Sequence, residues 1–295
     1  MNDVLNFKTN IIGLIGHPLK QTYSPYIQNL AFSIKKLNYY YIPFDIDSLN
    51  LKKAIKGMIS LRFKGFNVTL PYKTKVVQYL NFLSEEASII GSVNTVNINE
   101  DNIQGFNTDV YGIFETLNNY KTDLNDSEFS IFGAGGSARA LIYTLIKFFR
   151  PRKINLINRT EDRALVLKDL FKEKMKFNSI DVIKLLPPDI IEIVQNSKLV
   201  VNTTPIGMYP EIDDCIINSE KFFNKNQIVF DLIYNPQMTK FLEFAKKSNA
   251  EIINGLNMLI YQAAKSFEIW TSETFPFDEI KSSFEKILNE KKYNI

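Results

Sequence analysis

Two stretches hold residue types whose spacing could do chemistry. The first is Gly65–Lys73, reading Gly-Phe-Asn-Val-Thr-Leu-Pro-Tyr-Lys. Phe66, Val68 and Leu70 alternate with polar Asn67 and Thr69, the period of a half-buried strand. Pro71 cannot donate to a ladder, so the strand ends there. Asn67 and Thr69 then project opposite the apolar residues, and Lys73 follows in the turn. Amide, hydroxyl and amine at the C-terminal end of a strand suit a polar small-molecule site; they also suit an ordinary strand end with a surface lysine. The chain holds a single histidine, His17, so acid–base chemistry here falls to lysine, carboxylate or tyrosine.

The second stretch is Gly133–Ala138, Gly-Ala-Gly-Gly-Ser-Ala, which follows Ile131-Phe132 and precedes a long helical pattern. It fits Gly-x-Gly-x-x-Ala. Gly133 permits the tight turn, Gly135 lets the backbone approach a pyrophosphate, and Ala138 lets helix and strand pack closely. Ala134, Gly136 and Ser137 complete the turn, and the helix start offers unpaired N–H groups and a positive dipole end. The next strand ends in Asn158-Arg159-Thr160, with Arg163 a turn further. No carboxylate stands there to accept from a ribose 2′-hydroxyl. Arg159 can instead pair with a 2′-phosphate, and Thr160 adds a hydroxyl. The reading is NADP over NAD, set against the plainer one of a surface arginine and a helix-capping threonine. The loops Asn202–Met208, which contains Thr203, and Asp231–Pro236 leave later strands toward the same crevice.

The elements that position these residues follow from periodicity. Asn10–Gly16 reads as a buried first strand, stopped by Gly16, His17 and Pro18. Ser24-Pro25 reads as an N-cap with proline at the first helical position. Strand Tyr39–Ile46, helix Leu49–Leu61, strand Phe63–Leu70 and helix Tyr72–Leu83 follow, the alternation of a parallel α/β layer. Val93–Ile98 and Asn102–Phe106 form a hairpin, then comes helix Asp109–Tyr120. Polar Lys121–Glu128 is the candidate linker. The second alternation runs Phe129–Phe132, Ala138–Phe149, Lys153–Asn158, Glu161–Lys174, Ser179–Lys184, Asp189–Gln195, Leu199–Asn202, Gln227–Leu232, Thr239–Lys247 and Glu251–Ile253. Helices Met258–Trp270 and Phe277–Asn289 close the chain.

Bulk properties exclude several classes. A net charge of +3 from 35 basic and 32 acidic residues argues for neither nucleic acid nor a membrane surface. The lone Cys215 rules out an internal disulfide framework and a cysteine-rich metal site, so no metal is expected. No stretch has the form of a secretory signal or a membrane span, and a cytoplasmic protein is the expectation.

The chain resembles the shikimate dehydrogenase family over nearly its whole length. The matching blocks are Gly-Leu-Ile-Gly-His-Pro near Leu14, Tyr23–Pro25, Asn67–Lys73, Gly91–Thr95, Asn107–Asp109, Gly133–Ala138, Asn158–Thr160, Asn202–Met208, Asp231–Pro236 and Gly255–Gln262. The resemblance implies two α/β domains. A substrate domain spans residues 1–109, completed by C-terminal helices within 256–295, and a Rossmann-like NADP-binding domain spans 110–255. It implies Lys73 and Asp109 as the catalytic pair. Ser24, Thr69, Asn94, Tyr234 and Gln262 would hold the substrate's carboxylate or ring hydroxyls, and Thr203 and Gly255 would join the cofactor residues. The implied reaction is NADPH-dependent reduction of 3-dehydroshikimate to shikimate, on the route to aromatic amino acids, by a monomer or homodimer. Where the family carries His-Ser-x-Ser-Pro, this chain has Gln21-Thr22-Tyr23-Ser24-Pro25. Thr22 keeps a hydroxyl for the substrate carboxylate but adds a methyl group, which leaves a quinate/shikimate enzyme using NAD or NADP open. A non-catalytic ligand sensor on this fold would have lost Lys73 or Asp109, and both are present.

Overall fold

The computed structural model describes residues 5–19, 22–100, 102–186 and 190–290. Its first elements are β1 (Asn10–Gly16), α1 (Ser24–Ile34), β2 (Tyr39–Asp45), α2 (Leu51–Ser60) and β3 (Gly65–Val68). β1 pairs in parallel with β2 and β3, as the alternation predicts. Beyond β3 the pattern breaks. Tyr72–Leu83 is not a helix: only a 3₁₀ turn forms at Val76–Tyr79, and Phe82–Leu83 becomes the short strand β4. The edge of the sheet captures this segment, since Asn81 and Ser84 donate backbone N–H groups to the carbonyls of Ile103 and Gly105. A short helix, α3 (Glu85–Ile90), follows between an N-cap at Ser84, whose hydroxyl accepts from the Ala87 N–H, and left-handed Gly91.

β5 (Thr95–Asn99) and β6 (Asn102–Phe106) form the expected hairpin and lead into α4 (Asp109–Leu117). β5 runs antiparallel to β3, so the six-stranded sheet β2-β1-β3-β5-β6-β4 is mixed rather than parallel. β3 lies at its centre and is covered on both faces. Phe66 and Val68 pack in an apolar cluster with Ile55, Met58 and Val96, while Asn67 is buried on the other face. The alternation of β3 therefore marks an apolar face and a buried polar face, not a half-exposed strand.

After α4 the chain forms a 3₁₀ turn at Asn118–Tyr120 and the single-turn helix α5 (Lys121–Leu124). The segment expected as a linker is thus ordered secondary structure that leads directly into β7 (Glu128–Phe132). Next come α6 (Gly136–Thr144), continued by a π turn at Leu145–Phe149, then β8 (Lys153–Asn158), α7 (Glu161–Met175) and β9 (Ile180–Lys184). α8 (Ile191–Gln195), β10 (Leu199–Asn202), β11 (Ile228–Asp231), α9 (Lys240–Lys247) and β12 (Glu251–Ile253) complete a second sheet. The expected start of α8 at Asp189 lies outside the described residues. This sheet is wholly parallel, in the order β12-β11-β10-β7-β8-β9. The winding reverses between β7 and β10, which is where a doubly wound sheet opens its crevice.

α10 (Leu256–Thr271) and α11 (Phe277–Glu290) end the described chain. Two compact units result, one running through Tyr111 and resuming at Ile260, the other from Gly112 to Leu259. In the first unit α10 packs on the mixed sheet: the Trp270 indole donates to the Val96 carbonyl at 3.0 Å, and the Gln28 amide of α1 donates to the Ala263 carbonyl at 3.0 Å. No helix among the described residues is long and apolar enough to cross a membrane.

Candidate active site

The turn after β3 brings Lys73 to Asp109 at the start of α4, with Nζ 2.6 Å from Oδ2. Both side chains are largely withdrawn from water, Lys73 at 15% and Asp109 at 6% exposure, so the pair is screened far less than a surface bridge. The Lys73 carbonyl accepts from the Val93 N–H at 2.8 Å, which fixes the base of the lysine against the segment leading into β5. The second carboxylate oxygen, Oδ1, accepts from the Asn94 amide at 2.8 Å.

Asn94 has no freedom to turn its amide over. Its Oδ1 accepts from the Thr108 N–H at 2.7 Å and from the Thr95 hydroxyl at 3.1 Å, so only the NH₂ end can face Asp109. Beneath it lies a closed polar cluster. Asn67 donates to the Asn94 carbonyl, the Thr95 hydroxyl and the Ser266 hydroxyl at 3.0, 3.0 and 3.3 Å. Ser266 also meets Thr95 at 2.8 Å and Thr108 at 3.1 Å. Tyr41 donates to Asn67 Oδ1 at 2.8 Å. Burial pushes the Tyr41 phenol far above its ordinary range, and a hydrogen bond with Ser24 pulls it partly back. Ser24 is thereby connected through Tyr41 and Asn67 to Asn94, which immediately precedes β5. It is the first residue of α1, not its cap. The position before the helix is Tyr23, and the Thr22 hydroxyl accepts from the Ser24 N–H at 3.3 Å. Gln21 lies outside the described residues.

Thr69 is held at the end of β3 by its N–H to the Ile15 carbonyl, and its carbonyl accepts from the Tyr72 N–H, each at 2.9 Å. Gln262 stands one helical turn before Ser266, whose hydroxyl donates to the Gln262 carbonyl at 3.0 Å. His17 pairs with Asp45 through Nδ1 at 2.6 Å, both half-exposed, and stands outside the Lys73 cluster. That pairing pulls the Asp45 carboxyl below its ordinary value.

In the second unit the glycine turn joins β7 to α6. Gly133 has φ +103°, and a Cβ there would lie 2.6 Å from the Thr203 hydroxyl oxygen. The Thr203 hydroxyl and N–H both donate to the Phe132 carbonyl, at 2.7 and 2.9 Å, so the loop after β10 is bonded to the end of β7. Gly135 differs. Its backbone is extended, and a Cβ there would meet no protein atom within 4 Å. No acidic side chain occupies the first turn of α6 and none caps it. That open approach and those unspent N–H groups fit a pyrophosphate. At the end of β8 the Asn158 amide donates to the Thr160 carbonyl at 2.7 Å, while Arg159, Thr160 and Arg163 are exposed. Among the described residues neither arginine has an ion-pair partner, so both are available to a phosphate. Gly255 is pressed against the chain itself: a Cβ would lie 2.0 Å from the Leu232 carbonyl oxygen. Tyr234 lies half-buried in the loop after β11.

Comparison with known proteins bears on this arrangement. Residues 14–96 match the family model of the shikimate dehydrogenase substrate-binding domain, and residues 255–283 that of the shikimate 5′-dehydrogenase C-terminal domain. The shikimate dehydrogenase (NADP(+)) of Alkaliphilus oremlandii is 40% identical over 283 residues, covering 96% of this chain and 99% of the relative. That of Methanocaldococcus jannaschii is 42% identical, covering 91% and 93%. The crystal structure of a shikimate dehydrogenase in complex with NADP⁺ superposes with a TM-score of 0.87 at 38% identity, covering 98% of each chain. The chain belongs to the shikimate dehydrogenase family.

Within this shikimate dehydrogenase fold, residue type and spacing bring out Lys73 and the glycine turn, and the family resemblance adds Asp109. Type and spacing do not bring out Thr95, Thr108 and Ser266, which lock Asn94, nor Tyr41 beneath them. Thr95 and Thr108 lie inside blocks that the resemblance marks, whereas Ser266 carries no local signal beyond its place four residues after Gln262.

Proposed function

We propose that the protein reversibly reduces 3-dehydroshikimate to shikimate with NADPH, Lys73 and Asp109 acting as the catalytic pair. The observation that carries this reading is the withdrawn Lys73–Asp109 pair with its Asn94 brace, in a chain about 40% identical over nearly its whole length to NADP-dependent shikimate dehydrogenases. NADPH, when bound, supplies the hydride that adds to the ring carbonyl carbon. The chain's task is then the oxygen, which becomes an alkoxide and needs a proton. The Lys73 ammonium hydrogen-bonds that oxygen, stabilises the developing charge and delivers a proton; in the oxidative direction the neutral amine takes it back. Asp109, fixed through both oxygens, aims the lysine and accepts from the reacting hydroxyl. Ser24 and Thr22 supply hydroxyls for the carboxylate, and Thr69, Asn94, Tyr234 and Gln262 hold the ring hydroxyls. Gly133, Ala134, Gly135, Gly136, Ser137, Ala138 and Thr203 cradle the pyrophosphate, with Gly255 backing the loop after β11. Asn158, Arg159, Thr160 and Arg163 receive the adenosine 2′-phosphate. The substrate domain takes residues 1–109 and 256–295 and the cofactor domain 110–255. The enzyme works in the cytoplasm on the route to aromatic amino acids, as a monomer or homodimer.

A spectrophotometric assay pairing NADP and NAD with shikimate and quinate tests the proposal. The expected outcome is the highest kcat/KM for shikimate with NADP. A preference for quinate with NAD overturns it.

A further inference from the structure

The second unit buries a carboxylate that the proposed reaction does not use. Asp231, the last residue of β11, has no exposed surface, yet it accepts three hydrogen bonds from three directions. Its Oδ1 accepts from the Asn202 amide at 3.0 Å and from the Ile233 N–H at 3.1 Å, and its Oδ2 from the Thr239 hydroxyl at 2.6 Å. Each donor controls a different segment. Asn202 ends β10, and its Oδ1 accepts from both the N–H and the hydroxyl of Thr204 at 2.8 Å. It thus sets the path of the loop whose preceding residue, Thr203, buttresses Phe132 and Gly133. Ile233 immediately precedes Tyr234. Thr239 caps α9 by accepting from the Leu242 N–H, and its bond to Asp231 closes the loop that contains Tyr234.

We infer that Asp231 is a positioning residue, a clasp that holds the β10 loop behind the dinucleotide cradle and the Tyr234 loop in one register. A buried carboxylate suits this task because its two oxygens accept from several donors at once, where an apolar residue would leave three buried donors unpaired. The clasp rests on the reading of this unit as the NADP-binding one.

The test uses the full chain, with NADPH binding followed by the cofactor's fluorescence and kcat and KM measured for 3-dehydroshikimate. In Asp231→Asn the oxygen still accepts from Asn202 and Ile233, and the amide can donate to the Thr239 oxygen. NADPH affinity should stay within about threefold of the parent. Asp231→Leu, which accepts no hydrogen bond, should weaken NADPH at least about tenfold. Should that variant not fold, the two arms are cut separately. Asn202→Ala should weaken NADPH while leaving KM for 3-dehydroshikimate unchanged, and Thr239→Val should raise that KM while leaving NADPH affinity unchanged. The clasp is overturned if Asp231→Asn loses as much affinity as Asp231→Leu, or if both arm variants shift the two constants equally. A parent protein that binds 3-dehydroshikimate but not NADPH overturns the cofactor reading instead, a result these comparisons keep apart from failure of the clasp.

Discussion

At the scale of single residues, chemistry and folding make separable demands, and substitutions can tell them apart. Lys73 is held through its ammonium by Asp109 and through its carbonyl by the Val93 N–H. Lys73→Ala should therefore lower kcat by about 10²–10⁴-fold with little change in KM, the pattern of a contribution made in the transition state. A rise in KM alone would make Lys73 a binding residue. The two motif glycines divide the same way. Gly133 sits at φ +103° against Thr203, so any side chain there strains the fold. Gly135 has extended backbone and free space where a Cβ would go, so Gly135→Ala should melt at the parent temperature. Its cost should fall on NADPH, with Kd raised roughly tenfold or more as the methyl meets the phosphates. A lower melting temperature with unchanged NADPH binding would show that glycine is kept there for folding. Arg159, exposed and without an ion-pair partner among the described residues, should weaken NADPH but not NADH when changed to alanine. An equal loss with both cofactors would remove the 2′-phosphate assignment.

At the scale of elements, the docking of α10 on the mixed sheet closes the polar cluster by bringing Ser266 onto Asn67, Thr95 and Thr108. Gly65, the first residue of β3, makes room for it: a Cβ there would lie 2.3 Å from the Val96 carbonyl oxygen and 2.4 Å from Trp270 Nε1. Gly65→Ala should push the indole off its carbonyl and cost about 1–3 kcal/mol, read as a lowered urea midpoint. An unchanged midpoint would mean that α10 is not seated through Trp270. These contacts also explain what was legible in sequence. β1 and the β5–β6 hairpin are bounded by their own glycine, proline and polar residues, so local pattern suffices. Tyr72–Leu83 carries helical spacing, but its backbone partners are Ile103 and Gly105, which the local pattern cannot show. Asn67 read as a polar residue on a pocket wall. It is buried because Ser266, 199 residues later in the chain, closes over it. Lys73 and the glycine turn stand out because their chemistry is written in residue type; Asp109 enters only through the family resemblance, and the hydroxyls around it act through distance alone.

At the scale of the whole molecule, stability and the clasp pull on Asp231 in opposite directions. Burial raises its carboxyl from 3.8 to about 6, the bonds from Thr239, Ile233 and Asn202 offsetting only part of that shift. The folded chain therefore holds this proton more tightly than the unfolded chain does. Stability from that proton is fully present below the unfolded value of 3.8 and is lost as pH rises through about 6. This runs opposite to the usual carboxylate in a salt bridge. A shift of about two pH units corresponds to roughly 3 kcal/mol withheld from the folded state at neutral pH. Asparagine at this position still accepts from Asn202 and Ile233, donates to Thr239 instead of accepting from it, and cannot ionise. Asp231→Asn should then melt with the parent near pH 4 and progressively above it toward pH 7, by several degrees for a chain of this size. A gap between the two proteins that stays constant across that range would show that ionisation of Asp231 is not coupled to folding. A parent that melts higher at pH 7 would show that the three donors need the full negative charge, and the clasp would then be ionic rather than a matter of matched donors and acceptors.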